Sequence, residues 1–215
     1  TMMFGAWGNP DRAECRRMVD MAIVAGVTLV DTADIYDFGV SEEIVGEALG
    51  ARREHVVLAT KFGNPMDDDP LHRGGSRRWV RESVTNSLRR LQTDHIDLYQ
   101  MHRPDPDVPF EETLGALHEL VEEGLVRAVG TSCFPAEQLV ESQWIAQQHG
   151  FVRPATEQPP YSVFCRGAER AVFPTCRKYD VHAVVWAPLN GGWLTGKYRR
   201  DQPPPPASRA EREPD

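Results

Sequence analysis

Short apolar segments alternate with longer amphipathic segments along most of this chain, and that order limits its possible folds more than any other feature. Apolar runs bounded by turn residues predict strands, and apolar residues repeating every three to four positions predict helices. Strands are predicted near residues 2–4 and at 28–31, 55–60, 96–102, 126–131, 154–158 and 182–186. Helices are predicted at 11–25, 41–49, 76–91, 109–123, 136–149 and 167–179. Such alternation indicates a parallel sheet with helical crossovers.

Seven predicted strands separated by helices favour a (β/α)8 TIM barrel whose C-terminal unit is missing. A complete barrel usually needs ~250 residues, whereas this chain has 215. A doubly wound sheet is the competing α/β fold, but it usually has a G-x-G-x-x-G turn after its first strand. Residues 5–10 read Gly-Ala-Trp-Gly-Asn-Pro and do not match that turn. We therefore predict a barrel over 1–200 and a Pro-rich flexible tail or truncated loop over 201–215.

Serine and glycine residues mark several of the predicted helix ends. Ser41 and Ser76 stand where an N-cap is expected, since a serine hydroxyl can accept a hydrogen bond from a free backbone N–H in the first turn. Gly124 and Gly150 follow the fourth and fifth predicted helices, where glycine tolerates the left-handed backbone of a C-terminal cap.

The amino-acid composition argues against several classes of binding partner. The formal net charge is −8, which argues against a nucleic-acid-binding surface. The four cysteines, at 15, 133, 165 and 176, form no C-x-x-C pair, so zinc and thioredoxin-type chemistry have no support. No signal peptide and no apolar run long enough to span a bilayer are evident. We expect a cytoplasmic protein with reduced thiols and no membrane or nucleic-acid partner, and the sequence predicts no particular oligomeric state.

Four polar residues follow three predicted strands, at the positions where TIM barrels carry their reactive groups. They are Asp31 and Tyr36 after the second strand, Lys61 after the third and His102 after the fourth. Lys61 is one of only three lysines among 24 basic residues, which suggests a need for a compact ammonium. Each residue alone also has a structural interpretation, such as capping a loop or packing, and only their joint position favours chemistry.

These groups suit the reduction of a carbonyl. Hydride attack on a carbonyl generates alkoxide character, which requires a proton. A tyrosine with a normal pKa of ~10 is a weak acid at neutral pH, and a nearby ammonium favours the phenolate. We therefore predict that Tyr36 is the proton donor and that Asp31 orients Lys61 beside it. His102 is expected to hydrogen-bond the carbonyl oxygen.

Four segments resemble the aldo-keto reductase family in sequence, order and spacing, over nearly the whole chain to about residue 200. They are Leu-Val-Asp-Thr-Ala-Asp-Ile-Tyr at 29–36, Ala-Thr-Lys-Phe-Gly at 59–63, Asp-Leu-Tyr-Gln-Met-His-Arg-Pro-Asp at 97–105 and Gly-Leu-Val-Arg-Ala-Val-Gly at 124–130. The resemblance implies a catalytic tetrad of Asp31, Tyr36, Lys61 and His102. It also implies a TIM barrel, a small-molecule aldehyde or ketone substrate, and NADPH/NADP+ without a metal.

The resemblance also implies a cofactor site. Ser132 and Gln158 match the residues that hold the nicotinamide carboxamide, and Trp186 matches the aromatic residue that stacks on the ring. The other matching positions are Thr1, Met2, Asp31, Cys133, Ala187, Pro188, Leu189, Asn190, Gly191 and Lys197. Cys133 replaces the usual polar residue, often Asn, and Ala187 replaces a more common Ser. Cys133 is expected to weaken cofactor binding or change the angle of the ring.

The substrate and the choice of dinucleotide are less constrained. The family's site for the adenosine 2′-phosphate follows the eighth strand, so NADPH rather than NADH is implied by the family alone. The expected substrate pocket contains Trp7, Tyr36 and His102, with Met66 as a further residue that could equally serve packing. Two alternatives stay open: a non-catalytic, redox-sensing protein similar to channel β subunits, and an inactive truncated barrel. The complete tetrad favours the enzyme.

Overall fold

The computed structural model describes residues 1–206 and 208–212. Its core is one parallel sheet of six strands that are hydrogen-bonded in sequence order. The strands are β1 Leu29–Asp31, β2 Val57–Phe62, β3 Ile96–Met101, β4 Val126–Ser132, β5 Thr156–Gln158 and β6 His182–Ala183. Each strand therefore pairs with the next one along the chain, as a βα barrel requires.

Helices connect successive strands, with one further helix before β1 and one after β6. The α-helices are α1 Arg12–Val24, α2 Val40–Leu49, α3 Arg77–Leu91, α4 Phe110–Glu122, α5 Ala136–His149, α6 Val172–Tyr179 and α7 Arg209–Arg212. Short 3₁₀ segments lie at Tyr36–Gly39, Gly50–His55, Gly167–Glu169 and Asn190–Thr195. None of the helices described is long and apolar enough to cross a bilayer.

The sheet is curled rather than flat. Adjacent strands lie about 4.8 Å apart, so a flat sheet would separate β1 from β5 by roughly 19 Å. Nevertheless, the side-chain amide of Gln158 on β5 donates a hydrogen bond to the carboxylate of Asp31 on β1 at 3.1 Å. Gln100 on β3 accepts a hydrogen bond from Thr156 on β5 at 3.2 Å, on the same concave side. The chain thus forms an open part of a barrel.

Strand residues alternate between the concave face and the helices. Phe62, Tyr99 and Val129 belong to the apolar core that also contains residues of the helices. Their neighbours on β2 and β3 are Lys61 and Gln100. These two residues pair with each other in register, and both are fully buried. Because strand side chains alternate in direction, one face of the sheet is apolar and packs against helices while the other concentrates polar groups.

The predicted first strand near residues 2–4 is wrong. Among the described residues, Phe4 forms an isolated bridge with Asn9, and the sheet contains six strands instead of the expected seven. Backbone groups here bond locally, with Phe4 N–H donating to the Thr1 carbonyl at 2.9 Å and Gly5 N–H donating to Asn9 at 2.9 Å. Gly5 has a φ of +98°, which turns the chain away from an extended path.

Ser41 is not the N-cap predicted for α2. The helix begins at Val40, directly after the 3₁₀ segment, and its N-cap is Gly39. The Ser41 hydroxyl instead donates to the Thr1 carbonyl at 3.0 Å and lies 3.0 Å from the Thr32 hydroxyl. By contrast, Ser76 caps α3 as predicted, because its hydroxyl accepts a hydrogen bond from Trp79 N–H.

Two elements near the end of the sheet are shorter than predicted. The helix expected at 167–179 is interrupted before Val172. Pro174 lacks a backbone N–H and is tolerated only in a first helical turn, so α6 restarts just before it. Of the strand expected at 182–186, the two residues His182 and Ala183 form a strand. Further on, Trp186 forms an isolated bridge with Pro160.

The division into a barrel over 1–200 and a tail over 201–215 stays a prediction. Within the tail, Ser208 is buried and α7 follows it. Residues 207 and 213–215, which the predicted tail includes, lie outside the described part of the chain.

Candidate active site

Lys61 lies at the centre of the polar cluster on the concave face. Its Nζ donates to Asp31 Oδ2 at 2.7 Å, to the Thr32 carbonyl at 2.7 Å and to the Tyr36 hydroxyl at 3.4 Å. An ammonium has three N–H donors, and each has an acceptor here. The lysine side chain is completely buried. The ammonium is therefore held in one orientation, with one donor directed at a phenol oxygen.

Asp31 compensates the buried charge of Lys61. Its second oxygen, Oδ1, accepts from Gln158 Nε2 at 3.1 Å and lies 3.5 Å from Gln100 Nε2. A buried ion pair is tolerated only when its remaining hydrogen-bonding capacity is also satisfied. The two glutamines, from β3 and β5, supply those hydrogen bonds, so strands from across the curled sheet help to hold the pair.

Tyr36 begins the 3₁₀ segment that follows β1. Lys61 Nζ lies 5.0 Å from the centre of its ring, and the His102 ring lies 5.8 Å away in an edge-on orientation. Asp37 and Phe38 have left-handed backbone angles, with φ of 50° and 51°. Such conformations are costly for residues other than glycine and cluster at functional sites. These two residues turn the chain sharply after Tyr36, and the Tyr36 hydroxyl lies next to Lys61.

His102 is neutral and its tautomer follows from its partner. Burial, together with the positive charges of Lys61 and Arg103, lowers its pKa to about 3. Asn64 Nδ2 lies 3.3 Å from His102 Nδ1. An amide nitrogen only donates, so Nδ1 accepts and the ring proton resides on Nε2. The imidazole can therefore donate an N–H to an oxygen without carrying charge.

A cavity of about 550 Å³ opens beside these residues. Its size falls within the ~300–1,000 Å³ typical of ligand pockets. Asp31, Tyr36 and His102 line it, as do most of the residues predicted to bind a cofactor. Those residues are Thr1, Met2, Ser132, Gln158, Trp186, Ala187, Pro188, Leu189, Gly191 and Lys197.

Lys61 is buried behind the lining, and four further predicted residues also lie outside it. Cys133 and Asn190 do not line it, although each adjoins a residue that does. Trp7 packs beside Tyr36, with 6.5 Å between ring centres, but also lies outside the lining. Met66 lines a different cavity together with Asp34.

The lining combines polar groups that can bind an amide with positive charges that can bind phosphates. Ser132 and Gln158 are register partners on β4 and β5, and the Ser132 hydroxyl donates to the Gln158 carbonyl at 2.9 Å. Lys197 and Arg209 add positive charge to the same cavity. In the described part of the chain, no group of three or more His, Cys, Asp or Glu residues is placed to hold a metal ion.

A second buried polar cluster lies behind the site, around Asp34. Its backbone N–H donates to the Lys61 carbonyl at 3.0 Å, and its Oδ2 accepts from the Ser83 hydroxyl at 3.2 Å. The other carboxyl oxygen, Oδ1, is buried without a protein partner among the described residues. Burial first, and the charge of Glu42 second, raise the pKa of Asp34 to about 8. The folded protein therefore keeps this carboxyl protonated where the unfolded chain would ionise it.

Replacing Asp34 with asparagine should make the protein more stable, and increasingly so as pH rises. Below the normal value of 3.8 both states of the wild type are protonated, and between 3.8 and about 8 only the unfolded state ionises, which favours unfolding. Asp34→Asn removes this penalty, so its melting temperature should exceed that of the wild type by several degrees at pH 8. The difference should vanish near pH 4. A constant difference between pH 4 and pH 8 would contradict the assignment.

Sequence reasoning missed three groups that position the site. Gln100 carried a usable signal, because it lies two residues before His102 on one strand and so faces the same side. The Thr32 carbonyl and Asn64 carried none, since their contacts arise only when loops fold against the strand ends.

Comparison with known proteins identifies relatives over most of the chain. The family model described as the aldo/keto reductase family matches residues 1–214. The aldo-keto reductase YhdN of Bacillus subtilis (strain 168) is 42% identical over 193 residues, covering 89% of this chain and 56% of the relative. The uncharacterized oxidoreductase YrpG of the same organism is 40% identical over 208 residues, covering 92% of this chain and 63% of the relative.

A third relative has a different kind of description. A probable voltage-gated potassium channel subunit beta of Arabidopsis thaliana is 36% identical over 210 residues, covering 93% of this chain and 63% of the relative. The chain thus spans between 56% and 63% of the length of these three relatives.

Proposed function

Since the chain belongs to the aldo/keto reductase family, we propose that it reduces an aldehyde or ketone to an alcohol with a nicotinamide cofactor. The proposed cofactor is NADPH, which when bound supplies the hydride. Ser132, Gln158 and Trp186 would hold the nicotinamide end, and Lys197 and Arg209 the phosphates. A cytoplasmic location and a small-molecule carbonyl substrate belong to the same proposal.

The observation that carries this proposal is the arrangement of hydrogen bonds around Lys61. One buried ammonium contacts both the Asp31 carboxylate at 2.7 Å and the Tyr36 hydroxyl at 3.4 Å. An adjacent positive charge favours the phenolate over the phenol, so Tyr36 can release its proton to a developing alkoxide. Lys61 stabilises the phenolate that remains, and Asp31 keeps Lys61 charged and oriented.

His102 would orient the carbonyl. Its Nε2–H can donate to the carbonyl oxygen, and its neutrality means that it does not compete with Tyr36 as proton donor. A preorganised donor that already points at the developing negative charge needs no reorganisation during the reaction. The side chains of Tyr36 and His102, whose ring centres lie 5.8 Å apart, therefore define where the oxygen binds.

The proposal is tested by mixing the purified chain with NADPH and a panel of aldehydes and ketones. Consumption of the reduced cofactor, together with formation of the matching alcohol, would support it. Binding of NADPH is measured separately by its fluorescence. Absence of binding would instead favour the inactive barrel, and binding without turnover on any carbonyl would favour a sensor.

Replacing Cys133 with asparagine should strengthen cofactor binding several-fold. Cys133 follows Ser132 with a φ of 59°, a left-handed conformation that asparagine adopts more readily than cysteine. An amide would also restore the hydrogen-bonding side chain that family members usually have there. Dissociation constants for NADPH measured for Cys133→Asn and wild type test this. Cys165→Asn is the matched control, and equal gains in both would contradict the assignment.

The second candidate, a redox sensor associated with a channel, is supported by the potassium channel β subunit among the relatives. Such a sensor needs cofactor binding but not turnover. The presence of His102 beside Tyr36 favours the enzyme. Co-purification with a membrane channel, combined with negligible turnover, would favour the sensor.

A further inference from the structure

We propose that Arg103 selects carbonyl substrates that carry a carboxylate, by binding that carboxylate with its guanidinium group. This inference rests on the proposed reductase function and adds a substrate class to it. Arg103 directly follows His102 in sequence and lines the same central cavity. Its side chain is therefore within reach of a substrate whose carbonyl oxygen lies at Tyr36 and His102.

The charge balance at this end of the cavity favours an anion. The charge of Lys61 is compensated by Asp31 at 2.7 Å, and His102 is neutral. Arg103 contacts no carboxylate among the described residues. Glu157 interacts electrostatically with Arg103, but burial raises the Glu157 pKa to about 7, so this carboxyl offsets only part of the positive charge that Arg103 places beside the reacting carbonyl.

The guanidinium is also held in place before any substrate binds. Nη1 donates to the His102 carbonyl at 2.7 Å and to the Cys133 sulfur at 3.0 Å. The guanidinium carbon lies 5.9 Å from the centre of a Trp186 ring, a favourable position for a cation. Within the described structure, the N–H groups on Nε and Nη2 have no acceptor. A fixed guanidinium with free donors can bind a carboxylate through two parallel hydrogen bonds.

A second cavity meets the central cavity at Arg103. It has a volume of about 350 Å³. Both carboxylate oxygens of Asp105 accept backbone N–H groups, those of Gly75 at 2.8 Å and Asp107 at 2.9 Å. Asp105 and Asp107 place two negative charges in the lining deeper in this cavity, against the one positive charge of Arg73, and so disfavour an anion there. The carboxylate is thereby confined to the junction at Arg103.

The test compares substrates that differ in charge but hardly in shape. The kcat/KM of the full chain is measured with NADPH for 3- and 4-formylbenzoate and for the matching 3- and 4-formylbenzamide. We expect the wild type to prefer the better-placed acid over its amide by about 10-fold or more, the scale of a charge-assisted bidentate pair. Arg103→Gln should reduce that preference to nearly one. Arg89→Gln removes another exposed arginine, one that forms no ion pair with any residue the structure describes, and should leave the preference unchanged.

Several results would overturn the inference. A wild type that reduces acids and amides equally well has no such selectivity. An unchanged preference in Arg103→Gln would place the selectivity elsewhere, and weaker NADPH binding with an unchanged preference would assign Arg103 to the cofactor. If the chain reduces no carbonyl, the proposed function fails. Binding of the formylbenzoates, measured by calorimetry, then tests whether Arg103 binds a carboxylate. Binding that Arg103→Gln weakens about 10-fold supports it, and no binding refutes it.

Discussion

Replacing Tyr36 with phenylalanine is expected to lower kcat by about 10²- to 10⁴-fold, the usual contribution of a general acid. The change removes one hydroxyl that accepts a hydrogen bond from Lys61 at 3.4 Å. The ring can stay between Trp7 and His102, because its contacts with them do not involve the hydroxyl. NADPH binding should therefore remain within about twofold of the wild type, a change too small to explain the lost turnover.

Tyr179→Phe is a suitable control, because Tyr179 packs against the apolar core through its ring, away from the central cavity. It should retain wild-type kcat. Steady-state kinetics give kcat for both variants, and titration with NADPH gives their affinity for the cofactor. If Tyr36→Phe keeps more than about a tenth of the wild-type kcat, another group donates the proton, since a general acid contributes at least ~10²-fold.

Lys61→Met should reduce both turnover and stability. Turnover falls because no charge remains to stabilise a Tyr36 phenolate, and a loss of about 10²-fold or more in kcat is expected. Stability falls because the Asp31 carboxylate loses its buried partner. Asp31 is 28% exposed at its side chain, so the cost in the free energy of unfolding should be below the ~3–5 kcal/mol of a fully buried pair.

The double variant Lys61→Met/Asp31→Asn separates these two effects. Neutralising Asp31 removes the unpaired charge, and an asparagine oxygen can still accept from Gln158, so stability should recover. Turnover should stay low, because the double variant still lacks the positive charge of Lys61. Denaturant unfolding and kinetics on the single and double variants give the comparison. Recovery of turnover in the double variant would show that Lys61 acts only by holding the fold together.

The positions of the main polar side chains of the site could be predicted from the sequence, but the groups that hydrogen-bond to them could not. Asp31 and Lys61 lie at the C-terminal ends of β1 and β2, and His102 directly follows β3. The C-terminal ends of neighbouring parallel strands meet at one edge of a sheet. Their convergence could thus be predicted from order alone. The first strand could not be judged in this way, because the local hydrogen bonds around Gly5 replace strand pairing.

The remaining misses have physical causes too. The interruption before α6 was readable from Pro174, yet the amphipathic pattern across 167–179 favoured one helix. The contact between Asp31 and Gln158 was beyond prediction, since it depends on how strongly the sheet curls across four intervening strand pairs.

Asp31, which orients the ammonium, lies on β1, a strand of three residues with only β2 beside it in the described structure. The apolar side chains of Val27 and Leu29 are also partly exposed there, at 45% and 37%. Short edge strands open at a lower free energy than the centre of a sheet. Opening of β1 would separate the Asp31 carboxylate from Lys61 while β2 to β5 stay paired, so the proposed turnover should be lost at a lower free energy than the opening of the sheet itself.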